Sequence, residues 1–360
     1  MVLATLDSRN LLFGEAAQAV YELDDFSAHV WRSLNSGLSP EQIAGEMIEA
    51  GADRQAAHSA VAAAVQQLDA IGATTATSAV RPPSTSAERL TRITLALAGV
   101  AVQLNLSEPL LADVDGVFGY LRSHAPDSHV QLSASLVGEK VEIRAAGRPP
   151  SSCERSAFLP LLKALLIESV LQCASYEVAL HAAALVGDGN ALLLLGSPGA
   201  GKTTLATALV RRGFEIAADD VVLLDETGLV TGLPLPFTVK QGAWSMLSRD
   251  WPELASQPVH WRPDGIEVRY VQNQQFADWR PQRIRFVILL DRQAGAPASL
   301  QSVGAIAALE ALIAEGDARD DRLSERGFIA LVTALRDTRT FRLTYSDLSE
   351  AAEIVSSVYS

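Results

Sequence analysis

Cysteine is nearly missing from these 360 residues: only Cys153 and Cys173 occur, far apart and in no Cys-x-x-Cys arrangement. That excludes a disulfide framework and a cysteine zinc site, and it fits a reducing cytoplasm. Lysine is equally scarce, with Lys140, Lys163, Lys202 and Lys240 the only ones among 29 basic residues. Basic charge as a whole is outweighed by 42 acidic residues, leaving a formal net charge of −13 at pH 7. Nucleic-acid binding depends on cations that neutralise phosphates, so neither DNA nor RNA is an expected partner. No stretch approaches the roughly 18 consecutive apolar residues that a membrane span needs, and the start, MVLATLDSRNLLF, lacks a basic segment followed by a long apolar one. Neither membrane insertion nor secretion is expected. No internal repeat is visible.

What is present is ample material for cores, since 48% of the residues are hydrophobic, and a length that suggests two or three domains. Residues 1–78 read as short strands followed by three helices. DDFSAHVWRSLNSG carries Phe26, Val30, Trp31 and Leu34 on one helical face. SPEQIAGEMIEAG opens with Ser39 as N-cap and Pro40 at the first helical position, and DRQAAHSAVAAAVQQLDAIG places Val61, Val65 and Leu68 at helical spacing. Residues 79–88, rich in Ser, Thr, Pro and Ala around them, read as a linker. Residues 89–150 alternate as strands around one helix, a small α+β unit. Residues 151–360 form the last domain, opening on the apolar helix SAFLPLLKALLIESVLQCASYEVA and then two strands joined by a tight Gly-Asp-Gly-Asn turn.

The stretch LLLLGSPGAGKTTLATAL carries the chemistry. Gly196, Ser197, Pro198, Gly199, Ala200, Gly201, Lys202 and Thr203 satisfy G-x-x-x-x-G-K-[ST] in full, between a buried strand at 191–195 and a helix at 203–212. Glycines let the backbone amides curl around an anion, and the helix N-terminus adds its partial positive charge. Lys202 is then placed for the β and γ phosphates, Thr203 for Mg²⁺, and Thr204 as an auxiliary contact. Downstream, Asp219 and Asp220 close the next strand. Two adjacent carboxylates beside a phosphate loop can divide metal binding and proton acceptance between them, although the same pair also suits a plain ATPase or a solvated turn. Which aspartate is the base is open. His181, one strand before the loop, reads by spacing alone as a structural histidine.

The first fifth of the chain, through YELDDFSAHVWRSLNSGLSPEQIAGEM and VAAAVQQLDAIGA, resembles the PqqD-like peptide-binding domain, a winged-helix module that holds leader peptides of ribosomally made natural products. In that family a peptide adds as a strand beside the wing; Trp31 reads rather as a core anchor. The run LHAAALVGDGNALLLLGSPGAGKTTLATALVRRGFEIAADDVVLLD resembles the catalytic core of the HPr kinase/phosphorylase family, with the likeness extending over about residues 89–359 through FTVKQGAW, RFVILLD and FRLTYSDLSEAAEIV. The resemblance implies an α/β fold with a PEP-carboxykinase-like P-loop domain and mixed sheet. It also implies ATP and Mg²⁺ as cofactors, and catalytic roles for His181, Lys202, Asp219 and Asp220. Lys240 suits either a phosphate contact or an exposed loop. The family's E-I-R-G-L-G signature has its nearest counterpart in GIEVRYVQ, which makes Glu267 a metal ligand candidate beside Thr203 and Asp219. The glycines are missing there, so phosphorylase activity and HPr as substrate do not carry over.

Three functions follow: transfer of the γ-phosphate to a serine or threonine of a protein or precursor peptide held by the N-terminal domain; a small-molecule kinase for free serine or a sugar; or an ATP-gated peptide-binding module without transfer. The first is the expected one, in the cytoplasm, with the oligomeric state open. His124 and His129 do not have zinc spacing, Ser197 and Ser245 lack a nucleophile elbow, and ARDDRLSERG reads as a charged turn.

Overall fold

The computed structural model describes residues 2–14, 18–36, 38–69, 90–124, 129–145, 150–248, 251–272, 276, 280–317 and 322–359. The linker expected at 79–88 lies outside them. The chain is a mixed α/β protein built on several sheets.

The first unit is an antiparallel three-stranded sheet, Val2–Leu6, Arg9–Gly14 and Ala19–Leu23, followed by helices Asp25–Asn35, Pro40–Glu49 and Arg54–Asp69. Local chemistry sets the helix starts as expected. Ser39 and Gln42 form a capping box ahead of Pro40, and the Asp24 carboxylate accepts from Ser27 N at 2.6 Å. Val30, Ile43, Ala44 and Val61 make the helical core, whereas Trp31 packs half-buried with Tyr21, Leu12 and Leu23 on the sheet.

The strand Arg9–Gly14 is buried on both faces, which a free-standing wing would not be. Leu12 faces its own helices, while Ala4, Leu6, Leu11 and Phe13 join the core of the large domain. The ring of Phe13 stacks on Phe328 with centroids 4.9 Å apart. Asp7 Oδ2 accepts from Ala305 N at 2.8 Å, capping the helix Ala305–Ala314, and Gln18 exchanges two hydrogen bonds with the Leu323 backbone.

The second unit is a five-stranded sheet in sequence order: Thr91–Leu97, Val100–Leu106, Val130–Val137, Lys140–Ala145 and Ser151–Glu154, with helix Glu108–Phe118 making the one parallel crossover. The boundary expected at 150 falls inside this sheet. Ser151–Glu154 is polar and mostly exposed, an edge strand with no alternating pattern to announce it. The helix that follows, Arg155–Cys173, buries Phe158, Leu159, Leu162 and Leu166 in the core of this same unit. By length and composition it is apolar enough to cross a membrane, with Lys163 and Glu168 interrupting its apolar run.

The third unit is a ten-stranded mixed sheet. Its centre is Gln282–Arg292, flanked in parallel by Asn190–Leu195 and by Arg339–Tyr345. Helices Ala305–Ala314 and Glu325–Leu335 cover one face; Lys202–Val210 and Leu348–Tyr359 cover the other. A small antiparallel sheet, Phe237–Lys240, Glu267–Val271 and His260–Trp261, stands beside the carboxyl end of Asn190–Leu195.

Phe13→Ala is expected to lower the unfolding free energy by about 3–5 kcal/mol, the usual loss for a buried aromatic ring. Urea denaturation followed by circular dichroism measures it. A change near zero would mean that the ribbon does not share the large domain's core.

Candidate functional site

The strand Asn190–Leu195 lies between two neighbours and under helices on both faces, so its five apolar residues are all buried. The chain leaves its carboxyl end, the edge at which open α/β sheets gather ligands, through the glycine loop. Gly199 and Gly201 take left-handed backbone angles, φ +92° and +99°. A Cβ on Gly201 would come within 2.4 Å of the Tyr345 hydroxyl, which donates to Ala200 O at 2.8 Å and holds the loop from behind. Gly201 is the N-cap of helix Lys202–Val210.

A cavity of about 410 Å³ opens over the loop. Ser197, Pro198, Gly199, Gly201, Lys202, Thr203 and Thr204 line it. Gly196 and Ala200 stand behind: the Gly196 carbonyl accepts from Lys202 Nζ, and Ala200 is buried. Lys202 is itself buried, with its ammonium 3.4 Å from Glu315 Oε2. His181, Asp219 and Asp220 line the same cavity, so four residues expected to act together are brought together.

The two aspartates have different surroundings. Asp219 is 2% exposed; its Oδ2 accepts from Thr238 N at 3.2 Å, while its Oδ1 has no hydrogen-bond partner among the described residues. Burial, and then the charge of Asp220, push its carboxyl up to about 7. For Asp220 burial acts the same way, but the Lys163 ammonium outweighs it through charge and a hydrogen bond, assisted by His181 and Arg262, and holds the carboxyl below its ordinary value. His181 is anchored by its main-chain N to Glu315 O at 2.7 Å. Desolvation and then Lys202 hold its imidazole below the usual histidine value.

Magnesium binds through one or two carboxylates completed by phosphate oxygens and water. An orphaned, buried Asp219 oxygen beside the Thr203 hydroxyl fits that donor set, and the amide-lined loop with Lys202 fits the phosphates. Among the described residues, no cluster of three His, Cys, Asp or Glu side chains stands ready for a metal by itself. Glu267 is not brought to the loop. It pairs across from Trp261 and lines an adjoining depression with Gln241, meeting the cavity at Lys240 and Gly242. Arg269 does not line the cavity either; it donates to Leu254 O and lies 4.2 Å from the Trp244 ring.

Sequence reasoning missed Lys163, Glu315, Thr238, Arg262 and Arg292. The last three line the cavity, as does Lys240. Only Lys163 had a signal, as a lone charge inside FLPLLKALLI, where a buried cation requires a partner. His129 is structural, accepting from Ala101 N at 3.0 Å.

No family model matches the chain, and no curated protein does. Among solved structures the chain is similar to the HPr(Ser) kinase/phosphatase from Coxiella burnetii. That likeness is 14% identity over 50% of this chain and 93% of that one, with a TM-score of 0.25. At that level the activity has to come from the residues in the cavity.

A phosphate ligand in the loop would have to displace Glu315 from Lys202. Glu315→Gln is therefore expected to tighten MgADP binding about three- to tenfold, a pair of this kind being worth on the order of 1 kcal/mol. Calorimetric titration reads it, and weaker binding would contradict the competition. With burial pushing the Asp219 carboxyl up to about 7, a Mg²⁺ ion bound there would have to displace its proton. Metal affinity is expected to fall as pH drops through that value, with proton release visible in buffers of different ionisation heat. Asp219→Asn removes the effect.

Proposed function

We propose that the chain is an ATP- and Mg²⁺-dependent phosphotransferase that moves the γ-phosphate of ATP to a serine or threonine hydroxyl of a protein or precursor peptide. The observation that carries this reading is the opening of the phosphate loop and of Asp220 onto one cavity. An α/β unit of the PEP-carboxykinase type, expected from the resemblance, agrees with the mixed sheet and its loop placement.

The loop amides, the N-terminus of helix Lys202–Val210 and Lys202 would hold the phosphate tail. Thr203 and Asp219 would hold Mg²⁺, which supplies charge neutralisation across the phosphates. Lys240, Arg262 and Arg292, spread around the cavity, add to the field that stabilises the transferring group. The acceptor hydroxyl forms the new O–P bond while the β–γ bridging bond breaks and ADP departs; Asp220 takes the hydroxyl proton. In a loose transition state that proton leaves late, so a carboxylate of low basicity suffices. His181 lines the same cavity beside Asp220.

A peptide acceptor is supported by the N-terminal sheet. Strand Ala19–Leu23 is paired on one side only among the described residues, with Val20 exposed and Tyr21 half-buried near Trp31. Such an edge can take an added strand. A tethered substrate gains effective concentration over a free one. Free thiols at Cys153 and Cys173, together with ATP use, favour the cytoplasm.

Incubation of the full chain with γ-labelled ATP, Mg²⁺ and a genomically adjacent short peptide is expected to label that peptide. Lys202→Ala and Asp220→Asn are expected to reduce labelling by about 100-fold or more. ADP release driven by free serine or a sugar, with no labelled peptide, would move the assignment to a small-molecule kinase. Nucleotide-dependent peptide binding with no transfer would move it to a binding module.

A further inference from the structure

Resting on the phosphotransferase reading, the geometry points to Lys163 as the residue that positions the proton acceptor. Lys163 belongs to the second unit, on helix Arg155–Cys173, with buried Leu159, Leu162 and Leu166 on the same helix. It is 5% exposed, and an unpaired ammonium in such a setting would be strongly unfavourable. All three of its donors are used: on Asp220 Oδ2, on Thr238 Oγ1 at 2.5 Å and on Pro236 O at 3.2 Å. Thr238 in turn donates its main-chain N–H to Asp219. One ammonium thus ties the helix, the aspartate turn and the strand Phe237–Lys240 together.

The consequence lies in orientation. With Oδ2 held by Lys163, the Asp220 carboxylate is restrained in orientation and Oδ1 is left for the acceptor. Lys163 does not line the cavity, so it acts through Asp220 and not on the nucleotide. A group that only supported the fold could be replaced without loss of turnover in the molecules that stay folded, although removing Lys163 alone leaves the Asp220 charge uncompensated and lowers stability. A group that aims a carboxylate cannot, since misplacement by about 1 Å can lower turnover about 100-fold.

The test measures ADP release from MgATP by the full chain, with water standing in as acceptor, alongside circular dichroism melting curves. Lys163→Met is expected to fold, to keep KM for MgATP within about twofold and to lose about 100-fold in kcat; Lys163→Arg is expected to recover part of the loss. In an Asp220→Asn background, Lys163→Met is expected to add nothing, because both changes disable one unit. A normal kcat in Lys163→Met, losses that multiply in the double variant, or a change confined to KM would each overturn the role. Should Lys163→Met fail to fold, Thr238→Val and Lys163→Arg decide: reduced kcat at unchanged KM supports positioning, and unchanged kcat in both overturns it. If the unaltered chain neither releases ADP with water nor transfers label to the peptide, the phosphotransferase reading itself fails, a result distinct from turnover that survives the loss of Lys163.

Discussion

Two neighbouring carboxylates enclosed by protein cannot both stay charged without compensation, and the way this chain compensates Asp219 and Asp220 sets the arrangement of its parts. Each compensating group arrives from a different structural unit. Lys163 comes from the helix that packs on the five-stranded sheet, Thr238 from the small antiparallel sheet, and Thr203 from the phosphate loop. Electrostatic attraction is strong where water is excluded, so these contacts hold the units in register. The five-stranded sheet contributes no residue to the cavity wall, yet the helix packed on it supplies the cation beneath Asp220.

The same logic runs along the opposite side of the loop. Helix Ala305–Ala314 is capped by Asp7 of the N-terminal ribbon and ends at Glu315, whose carboxylate faces Lys202 and whose carbonyl accepts from His181 N. A helix of ten residues is about 15 Å long and stiff. It places the ribbon and the phosphate loop at two ends of one rigid element, with the Phe13–Phe328 stack fixing the ribbon end. One face of the N-terminal sheet is thereby part of the large domain's core, while its helices keep a core of their own.

Legibility in the sequence follows the range of the interactions. The capping box at Ser39, the Asp188-Gly189 turn and the glycine loop are short-range structures whose residues sit within a few positions of one another, and each stands where the pattern put it. Lys202, Asp219 and Asp220 could be grouped because strand–loop–helix order constrains them, whereas His181, structural by spacing alone, joined them only through the family resemblance. Lys163 and Asp220 are 57 positions apart and Lys202 and Glu315 are 113 apart, and no local periodicity encodes such pairs. Glu267 failed to reach the loop for the converse reason: motif similarity gave it a role, but pairing with Trp261 turned its strand toward the neighbouring depression. The edge strand Ser151–Glu154 was hidden because its stability comes from pairing with Lys140–Ala145 and not from an apolar face.

Charge at long range and charge at the site have opposite signs here, and distance decides which matters. A net charge of −13 repels nucleotides and acidic partners from afar, but physiological salt screens exposed charges beyond about 8 Å. Inside that distance a ligand entering the cavity meets Lys202, Lys240, Arg262 and Arg292, set against two aspartates of which one is already neutralised by Lys163. Low-dielectric walls concentrate the local field. Three of the chain's four lysines therefore lie in or directly under one cavity, and only Lys140, paired at the surface with Glu154, stands apart. Scarcity of lysine elsewhere leaves this cavity as the place where a compact cation meets an anion out of water.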